Sequence, residues 1–219
     1  MTEQEIRKRI EELRPCVTEH KYEMIKRIVK NRTKQVTLVL EDICQPHNAA
    51  AVCRTAEGLG INDIYVVEDR YLYRPSETVD KGATKWLSIK KFSSTQECFA
   101  QLRQLGYTII VTTPHRNGCS LDKLVIDSKI ALVFGNEQVG VSPYALEHAD
   151  GYISIPMLGF TESFNISVTT GICLYDIMHK IRSSKSHAWQ LTDLEQAEIE
   201  LEWLGRIVKG MGEREKKNG

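Results

Sequence analysis

Three short stretches hold most of the side chains that could do chemistry. Pro46-His47-Asn48 opens an alanine-rich segment that carries Arg54-Thr55. Residues 134–142 read F-G-N-E-Q-V-G-V-S, and residues 155–167 read I-P-M-L-G-F-T-E-S-F-N-I-S. Each follows an apolar run with the character of a buried strand. In an open parallel sheet, ligands bind beyond the carboxyl ends of the strands, so the three stretches can converge on one pocket. The candidates are Asn48, Arg54, Glu137, Ser163 and Asn165. Each also has a purely structural use. Asn48 can be a helix N-cap, and Ser163 or Asn165 can cap a later helix. Arg54 lies on an otherwise apolar helix, where it either lays its stem along the surface, pairs with a carboxylate, or points into a site. Glu137 can simply be solvated.

Several familiar chemistries lose their support. Gly58-Leu59-Gly60 falls at the end of a helix, and the third glycine of a dinucleotide fingerprint is replaced by Asp63. No phosphate-binding P-loop, H-E-x-x-H or G-x-S-x-G sequence occurs. The six cysteines, Cys16, Cys44, Cys53, Cys98, Cys119 and Cys173, have no C-x-x-C or Cys/His metal spacing. They read as isolated, mostly buried thiols in a reducing compartment, and no metal site is expected.

The elements that must position these residues follow from periodicity. Residues 3–13 and 18–29 are amphipathic helices broken at Pro15. Strands are expected at 36–40, 64–67, 86–92 (weaker), 107–112, 130–134 and 152–155. Helices are expected at about 49–59, 95–105, 143–148, 165–181 and 192–208, with residues 210–219 a disordered tail. Strands alternating with helices, several of them continuously apolar, specify an α/β fold with a parallel sheet covered on both faces. A chain of 219 residues is one ordinary domain with room for helical extensions. The charged N-terminus and the absence of a long apolar run make it a soluble, cytoplasmic protein with no membrane partner. Net charge is zero, but residues 1–35 hold 10 basic and 6 acidic side chains against 11 and 16 in residues 36–178. A cationic footprint for nucleic acid would come mainly from the N-terminal arm.

Read in order, N-x5-R-T, F-G-N-E-x-x-G-V-S and I-P-M-x-G-x-x-x-S-F-N-I-S resemble the three motifs of the SpoU branch of the SPOUT RNA 2′-O-methyltransferases. The resemblance spans about residues 36–181 and is closest to the tRNA (guanosine-18-2′-O)-methyltransferase (TrmH) group. That group has short helical extensions, here residues 1–35 and 182–219, in place of the separate RNA-binding domain common in ribosomal-RNA relatives. The resemblance implies a SPOUT fold with a C-terminal trefoil knot at about residues 130–181. It also implies S-adenosylmethionine as methyl donor, a homodimer with the site near the subunit interface, and tRNA as substrate, modified at the ribose of guanosine 18. Methylation of ribosomal RNA or of another tRNA position, and a non-catalytic RNA-binding role, are the alternatives.

By the same resemblance Arg54 engages the ribose 2′-OH, and Asn48, Glu137, Ser163 and Asn165 orient substrate or shape the site. Thr113, Gly135, Ile155, Met157 and Phe164 would contact the cofactor. Phe164 stands where the family usually has leucine, which changes the shape of that pocket. Arg7, Lys8, Arg9, Lys26, Arg27 and Lys30 would hold RNA phosphates. The family reaction needs no metal.

Overall fold

The computed structural model describes residues 1–114, 118–184 and 189–218. They divide into two compact units, residues 34–189 and, separately, residues 1–33 with 190–219.

The larger unit is built on seven strands: β1 (Val36–Glu41), β2 (Asp63–Val67), β3 (Ser88–Phe92), β4 (Tyr107–Thr112), β5 (Cys119–Ser120), β6 (Lys129–Phe134) and β7 (Gly151–Ser154). Their order is β3-β2-β1-β6-β4-β7-β5, and every pairing is parallel. The continuous apolar runs are explained by burial on both faces. Because side chains alternate along a strand, Val36, Leu38, Leu40, Ile130, Leu132 and Phe134 pack on one face. Val39, Ile109, Val111, Ala131 and Val133 pack on the other.

The first face is covered by α3 (Pro46–Gly58) and α7 (Ile166–Ser183), the second by α5 (Thr95–Gln104) and α6 (Pro143–His148). The β2–β3 connection adds the short α4 (Glu77–Asp80). Neither α4 nor the two-residue β5 was expected; both are too short to leave a periodic signature. Helix α3 begins three residues earlier than its alanines suggest, because Pro46 occupies its first turn, where a missing N–H is harmless.

The smaller unit consists of α1 (Glu3–Leu13), α2 (Glu19–Val29) and α8 (Asp193–Asn218). Helix α1 starts with a capping box between Thr2 and Glu5. Ile6, Ile10, Ile25 and Val29 are buried with Ile199, Trp203, Leu204 and Ile207 of α8. Arg32, only 1% exposed, lays its guanidinium 5.1 Å from the Trp203 ring centroid.

Two expectations need correction. The tail expected to be disordered continues α8 as far as Asn218, since its Glu, Lys and Arg residues are good helix formers; its last residue, Gly219, lies outside the described residues, as do residues 185–188 of the C-terminal extension. Of the six cysteines, all free, only Cys53, Cys98 and Cys173 are buried, because Cys16 ends a short exposed helical turn, Cys119 lies on the two-residue edge strand β5 and Cys44 sits in a strand-end loop. Burial pushes those three thiols up to about 12. No helix among the described residues is long and apolar enough to cross a membrane.

Candidate active site

A cavity of about 560 Å³ opens at the carboxyl ends of β1, β4, β6 and β7. It is lined by residues 112–114, 134–141 and 153–155, by Met157 and residues 162–166, and by Gln45 and Asn48 at the start of α3. All five residues expected to contact a cofactor, Thr113, Gly135, Ile155, Met157 and Phe164, lie on its wall. So do Asn48, Glu137, Ser163 and Asn165. The chain turns outward in opposite directions from β1 and β6, and the gap beyond such a switch point is where open α/β sheets take ligands.

The polar residues form one network. Glu137 Oε1 accepts from Asn48 Nδ2 at 2.9 Å and from the Gln45 backbone N–H at 3.3 Å. Its Oε2 accepts from the Cys44 backbone N–H at 3.1 Å and from the Cys44 thiol at 3.2 Å. Burial works to raise the Glu137 pKa, but the bonds from Asn48, its own loop backbone and Cys44 outweigh it. The carboxyl is held below the ordinary carboxylate range. Burial and the neighbouring carboxylate push the Cys44 thiol up.

Asn48 is not a helix cap. Gln45 occupies that position, and Asn48, buried inside the first turn, points its amide into the network. Its Oδ1 accepts from Asn165 Nδ2 at 3.1 Å. Asn165 does cap α7, accepting from the Ser167 backbone at 2.9 Å, so one side chain starts the helix and closes the network. Ser163 is exposed on the cavity wall.

Arg54 is not brought into this cluster. At 100° per residue it falls midway between Cys53, which meets Tyr73, and Thr55, which faces α7 at Gly171; it is opposite the core residues Val52 and Ala56. Its side chain is exposed and forms no hydrogen bond or ion pair among the described residues. The six cations expected to hold RNA lie on α1 and α2 or at their ends and are all exposed. Arg7, Arg9 and Lys26 pair with Glu3, Glu12 and Glu23, while Lys8, Arg27 and Lys30 form no ion pair among the described residues.

Three buried residues escaped the sequence reading. Glu41, 3% exposed at the end of β1, accepts from the Ser142 backbone and hydroxyl, both at 2.7 Å, and from Thr95 Oγ1. It thereby fixes the starts of α6 and α5. Asp42, next in sequence, points the other way with φ of 54°. Its Oδ1 accepts from the backbone N–H groups of Asp69, Arg70 and Tyr71 at 2.9, 2.8 and 3.3 Å. Its carbonyl accepts from Asn136 Nδ2 at 2.7 Å. Asn136 in turn accepts from Gln138 and Val139 N–H groups, shaping the loop that lines the cavity. The signal available was the abrupt end of a buried apolar strand in two adjacent carboxylates.

Gly135 is required by close approach. A Cβ there would lie 2.3 Å from Val141 N and 2.4 Å from Gly140 C, inside the loop's own backbone. The cavity's size is that of a small-molecule site, and its wall combines apolar Phe134, Ile155 and Met157 with hydroxyl, amide and backbone groups. That mixture fits S-adenosylmethionine, whose adenine needs an apolar slot and whose ribose and amino acid ends need polar partners.

The sequence profile of the SpoU rRNA Methylase family matches residues 35–175. A tRNA (guanosine(18)-2′-O)-methyltransferase of Borreliella burgdorferi is 35% identical over 205 residues, covering 94% of each chain. The crystal structure of the Aquifex aeolicus TrmH/SpoU tRNA-modifying enzyme aligns with a TM-score of 0.79 at 26% identity, over 87% of this chain and 98% of that one. The SpoU methyltransferase AviRb of Streptomyces viridochromogenes, solved in complex with AdoMet, shares the fold at 22% identity with a TM-score of 0.62, over 70% and 63%. Because the match runs through all three loops that meet at the cavity, and a close relative is similar almost from end to end, the chain belongs to the SpoU rRNA Methylase family.

Proposed function

We propose that this chain is a tRNA (guanosine-18-2′-O)-methyltransferase that uses S-adenosylmethionine. The observation that carries this reading is the single hydrogen-bonded network joining Asn48, Glu137 and Asn165 across one cavity, each from a different motif loop. It occurs in a chain similar over nearly its whole length to a relative of that activity. S-adenosylmethionine, when bound, supplies a methyl group already activated on a sulfonium.

The protein's own task is then to hold, orient and manage charge. Thr113, Gly135, Ile155, Met157 and Phe164 hold the cofactor. Glu137 accepts four donors around Cys44, Gln45 and Asn48 and is kept ionised, so it serves as an anchor for the start of α3 and not as a proton carrier. Asn48 and Asn165 set the shape of the cavity mouth, and Ser163 is placed to orient substrate there. Arg54 stabilises negative charge developing on the 2′ oxygen. A guanidinium stays protonated in proteins, so it is not the base, and an RNA phosphate is the nearest chemical candidate for taking the proton.

Arg54 lies outside its own chain's cavity, which supports a homodimer in which it serves the partner's site. The surface beside it is suited to that. Val168, Ile172 and Tyr175 are exposed at one stripe of α7, the helix that packs on α3, and Leu158 and Phe160 of the motif loop are fully exposed. In this reading residues 36–181 form the SPOUT methyltransferase domain, with the trefoil knot at about 130–181. Residues 1–35 and 182–219 are RNA-binding extensions, through Arg7, Lys8, Arg9, Lys26, Arg27 and Lys30. The protein works in the cytoplasm.

The test is methylation of a total tRNA pool and of ribosomal RNA, followed by mapping of ribose methyls at nucleotide resolution. Transfer to guanosine 18 is expected. Transfer only to ribosomal RNA or to another tRNA position would replace the substrate, and no transfer with intact cofactor binding would replace the activity.

A further inference from the structure

Residues 70–91, which cover most of the connection from β2 to β3 and nearly all of β3, belong to none of the three motifs, yet they form a strongly basic stretch. Six of the eleven Lys and Arg side chains between residues 36 and 178 fall in residues 70–91, against two of the sixteen acids. Arg70, Lys90 and Lys91 are held in ion pairs within the domain, and Lys85 lies over the Trp86 ring, 5.4 Å from its centroid. Arg70 lies 3.4 Å from Asp42, Lys90 3.3 Å from Asp63, and Lys91 2.8 Å from Glu68. The other three, Arg74, Lys81 and Lys85, are exposed, and Arg74 and Lys81 form no ion pair among the described residues. Asp80, their neighbour, is 5% exposed and turned inward, where it accepts from the Thr84 backbone and hydroxyl, both at 2.9 Å. Its charge does not screen theirs from the solvent side.

The segment is fixed at three points to the end of β1 and to α3, the helix whose start lines the cavity. Asp42 holds the backbone of residues 69–71. The Ser76 N–H donates to the carbonyl of Pro46, first residue of α3, at 3.1 Å. Tyr73 hydroxyl and Cys53 thiol are 2.7 Å apart, and Cys53 immediately precedes Arg54. The cations are thus presented on a braced surface beside the start of α3 and Arg54. The rest of the domain carries a large excess of acid, so a polyanion is attracted here and repelled elsewhere. Tyr71, 44% exposed, adds a flat ring of the kind on which unpaired RNA bases stack.

We propose that residues 70–86 form a second RNA contact, in which Arg74, Lys81 and Lys85 hold phosphates flanking the reacting ribose. The proposal rests on the tRNA methyltransferase reading and adds to it a surface distinct from the N-terminal arm.

Lysine acylation of the wild-type, full-length protein tests it directly. Added tRNA should protect Lys81 and Lys85, while Lys123, beyond β5 at the opposite edge of the sheet, keeps its reactivity. In a second measurement, the combined variant Arg74→Gln, Lys81→Gln, Lys85→Gln should lower the slope of log affinity against log salt by roughly 2–3, close to one per phosphate contact. S-adenosylmethionine affinity and melting temperature should be unchanged. Lysines left unprotected, or a salt slope equal to that of the wild type in a folded variant, would overturn the proposal. If the variant fails to fold, the footprint on the wild-type protein decides. Protection without any methyl transfer to tRNA would retain the surface and remove the activity on which its purpose rests.

Discussion

Arg54 and Glu137 are charged groups of the motif loops with opposite surroundings, and they call for different experiments. Arg54 is exposed and unpartnered within the described residues, so Arg54→Ala should leave folding stability within about 0.5 kcal/mol. If its guanidinium meets the reacting oxygen, single-turnover rate should fall by about 10²–10³ with cofactor affinity intact. Arg54→Lys keeps the charge without the planar fork, and a comparable loss would make geometry the deciding factor. A mutant with lowered melting temperature and undiminished rate would return Arg54 to the scaffold. Glu137 is the reverse case, a group bonded on both oxygens. Its pKa is lower folded than unfolded, so its contribution to stability is complete above the ordinary carboxylate range and is lost as pH falls through the depressed value. The melting temperatures of wild type and Glu137→Gln should therefore differ most near neutrality and converge in acid. A gap that stays constant through the whole acid range in which the protein remains folded would mean that shape, not charge, is what Glu137 supplies.

At the scale of elements, the two compact units make separable demands. Trp203 of α8 is 2% exposed and packs with Arg32 in the helical unit, while every residue lining the cavity lies in residues 34–189. Trp203→Ala should cost about 3–5 kcal/mol in that unit. Chemical denaturation should then show an earlier transition, and tRNA affinity should fall, while S-adenosylmethionine binding persists. Equal loss of both affinities would contradict the division of labour. The helices themselves were readable: α1, α2 and the body of α8 were expected from the sequence, whereas the capping box of α1 and the length of α8 were not. The strands were readable too, since V-T-L-V-L and I-A-L-V-F have the unbroken apolar character that burial on two faces demands. What periodicity could not register was the connection of residues 68–87, whose shape depends on distant partners: Asp42, Pro46 and Cys53.

For the molecule as a whole, the exposed stripe of Val168, Ile172 and Tyr175 makes assembly the decisive property. Light scattering should give about 50 kDa, twice the chain mass of 25.0 kDa. Ile172→Glu places a charge on the stripe and should yield a monomer that has lost methyl transfer. A monomeric wild type with full activity would overturn both the dimer and the placement of Arg54 in a partner's site.

By itself the sequence determined the layered α/β architecture, because strand and helix periods are local properties. It also determined the identity of the motif residues, because their types and order survive without coordinates. The tertiary structure decided what those residues do to one another. Asn48, a plausible cap by its neighbours alone, became the bridge between Glu137 and Asn165, 89 and 117 residues away in the chain. Arg54, six residues on, was turned outward by the 3.6-residue helical period, away from the cavity that holds Asn48. Glu41 and Asp42, unremarked as letters, became the clamps of four segments, because adjacent residues at a strand end point to opposite faces. Hydrogen bonds between loops far apart in sequence are fixed only when the sheet sets the distance between strand ends. No spacing along the chain encodes that distance.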